Sequence, residues 1–496
     1  MSEEITRRKA GQILGVAAAQ SLAGGAPDIC FMSAVEMAAL IRRKKLSARE
    51  ALTAHLQQIE RVNRKVNAIV TLVADQAIEN ARKADEAQAK GATLGPLHGL
   101  PIAHKDLMET AGIRTTYGSP VFKDNVPSYD AIPVERIKRA GAITIGKTNT
   151  PEFGAGSQTF NPIFGATKNP YDLTKTCGGS SGGAAVSLAC GMLPIADGSD
   201  SGGSLRNPAA FCGVVGFRVA PGRVPLAAKG LSWSTLSVAG PMGRNVADVA
   251  LLLSVMAGPD PRSPISIAEP ASRFAGKLDR DFKGVRVAFF KDLGGIPFDR
   301  RIRDTVNSQR RVFENLGCIV EEAEPDFAGA DEAYNILRAW GYAAGYAELV
   351  RTHRDQVKDT IIWEVERGLK LTAADLAHAE MLHTRVWDQM RIFQEKYEYF
   401  ILPSTQVPPF DLTQQYVTEI EGVKMNAYID WMKCCYLITI VESPSISMPC
   451  GYTPEGLPVG MQIVGRHRDE WSVLQMAHAF EEATRSDRRR PGIVNG

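Results

Sequence analysis

Two short runs of glycine and serine constrain this chain more than anything else in it. One is CGGSSGG at residues 177–183, and the other is DSGGSLR at residues 200–206. Glycines on both sides of a serine let the backbone turn sharply and approach a bound group closely. Successive N–H groups in such a segment converge into an anion-binding nest. A serine hydroxyl beside a nest that holds an oxyanion is the minimum apparatus for acyl transfer. Ser180 and Ser204 are therefore the candidate catalytic hydroxyls. The N–H groups around Ser201, Gly202 and Gly203 are the candidate oxyanion site. Ser181, Asp200 and Arg206 are supporting candidates, for holding the loop and bonding a relay hydroxyl.

A serine hydroxyl is a weak nucleophile until a base takes its proton. The serine block contains no histidine, but His104 and Lys105 stand side by side upstream in GLPIAHKD. Neighbours on an extended segment point to opposite faces, so only one of the two can face a shared site. A lysine acts as a base only when neutral. Its ordinary pKa is ~10.4, so burial has to depress it. The apolar approach Leu100-Pro101-Ile102-Ala103 is consistent with a desolvated amine at Lys105.

The rest of the chain sets the frame. With 496 residues, 44% hydrophobic and 23% charged, it has the composition of a soluble globular protein with room for a large core. Lys plus Arg is 57 against 55 for Asp plus Glu, a net +2, so no basic excess points to nucleic acid and no acidic excess to a cationic partner. No run of ~18 apolar residues predicts a membrane span. The eight cysteines form no CxxC pair and no Cys/His cluster, which predicts buried free thiols and no metal site. Cys177, beside the serines, reads as a small packing residue. Arg7-Arg8 ahead of the mildly apolar stretch 13–26 reads either as a twin-arginine export leader or as a tail of a cytoplasmic protein.

Ser47-Ala-Arg-Glu50 is a capping box, and Leu52, Leu56, Ile59 and Val62 continue a helix from it. Helices are also expected at 33–43, 74–90, 130–140 and 182–189. Short strands are expected at 142–145 and 193–196, the latter feeding a loop that carries Ser204, and later strands at 399–403 and 443–449. The stretch 330–397 is mostly helical and holds Trp340, Tyr342, Tyr346, Trp363 and Trp387, as core packing, a substrate wall or both. The alternation predicts an α/β fold with a large mixed sheet covered by helices on both faces. The expected layout is an N-terminal tail at 1–32 and one domain at 33–496, with a helical substrate-side insertion at about 330–397.

These motifs occur in an order that resembles the amidase signature family of serine hydrolases. GLPIAHKD, GKTNTPEFG and FGATKNPYD lead to the signature block, CGGSSGGAAVSLACG through DGSDSGGSLRNPAAFCGVVGFR. GPMGRNVADVALLLSVMAG and SPSISMPCGYTPEGLPVGMQIVGR follow. The stretch from about 260 to 397 carries little of the resemblance. The resemblance picks Lys105 over His104 as the base. It implies a Lys105–Ser180–Ser204 relay, with a cis peptide at Ser180 and Ser204 as nucleophile. It implies a cofactor-free hydrolase for amides, with carbamates and esters as chemically related substrates, working as a monomer or homodimer on small molecules.

Three rival readings remain visible in the sequence. GAITIGKT at 141–148 fits the phosphate-loop pattern, but its middle is strand-like and Pro151 follows closely. GGSSG at 178–182 fits the nucleophile elbow, which would make Ser180 the nucleophile with a histidine such as His378, His467 or His478. The A subunit of tRNA-dependent amidotransferase shares the signature. Its segment after the GKTN motif usually runs DEFAMGSSTENS, where this chain has PEFGAGSQTFNP.

Overall fold

The computed structural model describes residues 29–484 and 489–495; the segment carrying Arg7-Arg8 lies outside them. Local chemistry accounts for the first elements. Ser33 caps the helix Ala34–Arg42, accepting the Glu36 N–H. Ser47 and Glu50 form the capping box that opens the helix Ala48–Val66, and Asn67, in the left-handed conformation, ends it. The helices Ala74–Ala89 and Ile132–Arg139 follow where the apolar spacing placed them, the latter with a proline in its first turn.

Two sheets carry the site. The larger has eight strands, in the spatial order Ile319–Glu322, Arg286–Phe289, Tyr399–Pro403, Pro458–Val464, Ser445–Tyr452, Val215–Arg218, Val238–Gly243 and Ile195–Asp200. The first three are parallel to one another and the remaining pairings are antiparallel, so the sheet is mixed as expected. Side chains alternate faces along a strand, which shows that both faces are covered. A Cβ on Gly240 would meet Leu205, just ahead of the helix Arg206–Cys212. A Cβ on Gly243, an odd number of residues on, would meet Asp248 and Val249 of the helix Val246–Met256.

The smaller sheet was not expected. Ile143–Thr148 is its middle strand, antiparallel to Ile69–Leu72 and parallel to Pro101–Lys105. The strand expected at 193–196 differs as well, extending beyond its apolar part. It runs Ile195–Asp200, pairing along its whole length with Val238–Gly243. Asp197 and Ser199 are thus strand residues rather than loop residues. Backbone pairing with a neighbouring strand overrides the local turn preference of Asp-Gly-Ser-Asp.

The helical stretch resolves into Ala330–His353, Asp359–Gly368 and Ala373–Lys396. Tyr334 and Leu337 enter the main core, while Tyr342 and Tyr346 pack with Phe153 and Ala155 in a smaller cluster. Trp387 lies elsewhere, edge-on to His467. No helix among the described residues is long and apolar enough to cross a membrane. All eight cysteines are buried free thiols, as their settings predicted.

Candidate active site

Lys105 ends the strand Pro101–Lys105, every residue of which is buried. Its Nζ lies 2.7 Å from Ser180 Oγ, 2.9 Å from Ser181 Oγ and 3.0 Å from Ser199 Oγ. Burial pushes its pKa down to about 7, against the opposing pull of the Asp200 and Asp197 carboxylates. An amine so desolvated, with three hydroxyls in contact, has the surroundings a lysine base requires. His104, the adjacent candidate, points the other way, as the alternation of an extended segment requires. Its Nδ1 contacts Asp197, and its Nε2 lies 3.1 Å from Thr144 Oγ1.

Ser180 follows a cis peptide bond at Gly179 and is 2% exposed. The glycines around it are dictated by crowding. Gly178 has φ +74°, and a Cβ there would sit 3.0 Å from the Pro208 main chain. Directly after the serine pair the helix Gly182–Ala189 begins, buried at every position. The Ser181 N–H donates to the Ser204 carbonyl at 3.2 Å, which ties the two serine segments together.

Ser204 lies four residues past the end of the strand Ile195–Asp200, and Asp200 organises the turn between them. Its carboxylate accepts the Gly203 N–H at 2.9 Å and the Leu205 N–H at 3.1 Å, and pairs with the Arg206 guanidinium at 3.0 Å. Burial alone would raise the Asp200 pKa, but Arg206 and Arg218 outweigh it and hold the group well below the usual carboxylate range. This corrects one expectation. The Gly203 N–H is committed to Asp200 and does not offer itself to an oxyanion. Among the described residues no protein acceptor takes the N–H of Ser201, Gly202 or Ser204. At Gly203 itself φ is +123°, and a Cβ would stand 2.8 Å from both Asn207 and Cys435, so only glycine fits.

Four contributors escaped the sequence reading. Ser199 touches the lysine amine. Asp197 accepts the Lys105 main-chain N–H at 2.8 Å. Arg218 donates to the Asp200 carbonyl at 2.6 Å. Tyr334, from the long helix Ala330–His353, donates its hydroxyl to the Ser201 carbonyl at 3.1 Å. The first two carry a signal in the alternation 197, 199 of a strand, which the turn-like composition of Asp-Gly-Ser-Asp masks.

The rival motifs dissolve on inspection. GAITIGKT contains the strand Ile143–Thr148 itself, and Lys147 is buried, bonded to Met108 O and to Thr110 Oγ1. None of the three downstream histidines bonds Ser180: His378 pairs with Glu332 on an exposed helix face, and His467 stands against Trp387. Cys177 is buried beside Gly182, and burial pushes its thiol up to about 12, which leaves it an inert packing group.

Comparison with known proteins agrees with this layout. The model of the family described as Amidase matches residues 50–474. An acylamidase of Rhodococcus erythropolis is 36% identical over 460 residues, covering 92% of this chain and 96% of that protein. The A subunit of the glutamyl-tRNA(Gln) amidotransferase of Moorella thermoacetica is 35% identical over 490 residues, covering 94% of this chain and 99% of that protein. Among solved structures, a bacterial aryl acylamidase superposes with a TM-score of 0.87 at 27% identity, covering 94% of this chain and 99% of its own. A 6-aminohexanoate cyclic dimer hydrolase superposes at 0.85 and 26%, covering 94% and 100%. A buried lysine against paired serines, the mixed sheet that presents them, and a family match over most of the length place this chain in the amidase signature family, as an amidohydrolase acting on amides.

Proposed function

We propose that the protein cleaves small amides through an acyl-enzyme on Ser204, with Lys105 as base and Ser180 as the relay between them. The observation that supports this most directly is the 2.7 Å approach of a desolvated Lys105 amine to Ser180 Oγ. Neutral Lys105 takes the Ser180 proton as Ser180 takes that of Ser204, and Ser204 Oγ attacks the carbonyl carbon. The tetrahedral oxyanion is held by the main-chain N–H groups of Ser201, Gly202 and Ser204, each typically contributing ~3 kcal/mol to the barrier when removed. Ser180 then hands a proton to the departing nitrogen. An amine is a poor leaving group unless protonated, which gives the relay its chemical reason. Water attacks the acyl-enzyme by the same route, regenerating Ser204.

The substrate we infer is an aryl or aliphatic amide with an apolar portion, with aryl carbamates and esters turned over by the same steps. Support comes from the aromatic surface beside the relay. A Cβ on Gly154 would stand 3.3 Å from Ser180 Oγ, and the neighbouring Phe153 packs on Tyr346 with ring centres 4.6 Å apart. In this reading the helical layer at about 330–397 is the substrate-side insertion of a single domain spanning 33–496, and Tyr334 is its link to the oxyanion loop. The segment PEFGAGSQTFNP supports a free-standing hydrolase over a component of an amidotransferase.

The test is direct. Purified chain alone is assayed on an anilide, a linear oligoamide and an aryl carbamate, then treated with a fluorophosphonate and mapped by mass spectrometry. Turnover of the anilide and labelling at Ser204, both lost in Lys105→Ala, is the expected result. A label on Ser180, or full activity in Lys105→Ala, overturns the assignment. Inactivity on all three substrates overturns the broad-amidase reading.

A further inference from the structure

Lys105 belongs to the small sheet, while the strand leading to Ser204 is the edge of the large one. A relay assembled across two sheets needs a fastening between them, and one buried pair supplies it. Asp197, in the strand Ile195–Asp200, directs Oδ1 to the Lys105 main-chain N–H at 2.8 Å and Oδ2 to His104 Nδ1. His104 closes the other side through Nε2, 3.1 Å from Thr144 Oγ1 in the middle strand of the small sheet. His104 and Asp197 are both 0% exposed. A buried carboxylate is expensive unless bonded, and here both oxygens are occupied. Neither residue has a task in the relay described above, and neither lies within the serine clusters.

We propose that the His104–Asp197 pair is the positioning device of the lysine base: it locks the Lys105 main chain to the edge strand, and the hydrogen bond from His104 limits the negative charge that Asp197 presents to the amine. The inference rests on Lys105 acting as the base. The opposing influences on Lys105 are burial, which favours the neutral amine, and the Asp200 and Asp197 carboxylates, which favour the cation. Asp200 is already matched by Arg206 and Arg218. Asp197 feels Lys147 from the middle strand, and Lys147 in turn faces Asp106. Burial raises Asp106 to about 6, and its carboxylate is bonded to Thr116. His104 is thus the partner in direct contact with Asp197, and its hydrogen bond is the variable through which the pair sets the field at the amine.

The experiment reads the ascending, acid-side limb of the pH dependence of Ser204 labelling by a fluorophosphonate, in wild type, Asp197→Asn and His104→Ala. Asparagine keeps an oxygen for the Lys105 N–H but removes the charge, so the limb moves to lower pH by about 0.5–1 unit. Alanine at 104 leaves the carboxylate without its imidazole, so the limb moves to higher pH. Damage to packing lowers amplitude or melting temperature in both variants but does not send the limb in opposite directions. If Asp197→Asn does not fold, the alkaline shift of His104→Ala decides alone. Limbs at the wild-type position in the folded variants overturn the proposal. A wild type with no limb near pH 7, or a reactive Lys105→Ala, overturns instead the reading of Lys105 as base, so the two failures are distinct.

Discussion

The pH dependence of the proposed acylation follows from the Lys105 environment. Burial brings the amine to about 7 from an ordinary 10.5. In the proposed relay only the neutral form accepts the Ser180 proton. The reactive fraction is therefore about 1% at pH 5, about 50% at pH 7 and about 99% at pH 9. Acylation, read as kcat/KM on a chromogenic anilide, rises about 50-fold from pH 5 to 7 and only about two-fold from 7 to 9. A lysine left at its ordinary value gives a different curve, about ten-fold per unit throughout that range. The same displacement links to stability. Between about 7 and 10.5 the unfolded chain binds a proton that the folded chain does not. This group's contribution to stability is therefore least below about 7 and grows with pH across that window. Stopped or continuous assays at matched ionic strength from pH 5 to 9.5, with the fluorophosphonate rate measured in parallel, check the curve. A profile still climbing ten-fold per unit at pH 9, or flat from pH 5, refutes a desolvated lysine base.

Three further outcomes are expected. Asp200→Ala leaves the buried guanidinium groups of Arg206 and Arg218 without their carboxylate. A loss of about 3–5 kcal/mol in denaturant unfolding accompanies loss of Ser204 labelling. Tyr334→Phe removes the hydroxyl that donates to the Ser201 carbonyl. Freed of that bond, the 201–204 turn proposed to hold the oxyanion loses about 1 kcal/mol of support. Steady-state kinetics then show kcat down about five- to ten-fold with KM changed less. Phe313→Ala, between Phe289 and Phe480 and far from the relay, costs about 3–5 kcal/mol in a melt while folded protein keeps its wild-type kcat.

Part of this site is legible in the sequence alone. Glycine and serine spacing exposed Ser180 and Ser204, because a residue type needed for close backbone approach leaves a local mark. Strand alternation left either His104 or Lys105 facing the site, and the family resemblance chose the lysine. Helix starts at Ser33 and Ser47 were readable because a cap is a contact between residues three apart. Ser199, Asp197 and Tyr334 were not readable in that way. Their roles come from partners 94, 92 and 133 positions away; the alternation 197, 199 places Asp197 and Ser199 on one strand face but does not name the partner.

The same division explains the two corrections. Asp-Gly-Ser-Asp at 197–200 has the composition of a turn, and only the strand Val238–Gly243 beside it makes it a strand. Gly203 has the freedom that a nest requires, yet its N–H is claimed by Asp200. Residue types and their spacing were enough to single out the candidate groups, with the resemblance deciding between His104 and Lys105, since reactive side chains and the glycines that admit them are written locally. Packing in three dimensions decided how far the lysine is desolvated, which hydroxyls surround it, and which amides stay free. Desolvation and hydrogen-bond satisfaction depend on what lies nearby in space, and here those neighbours come from two sheets and a helical layer far apart along the chain.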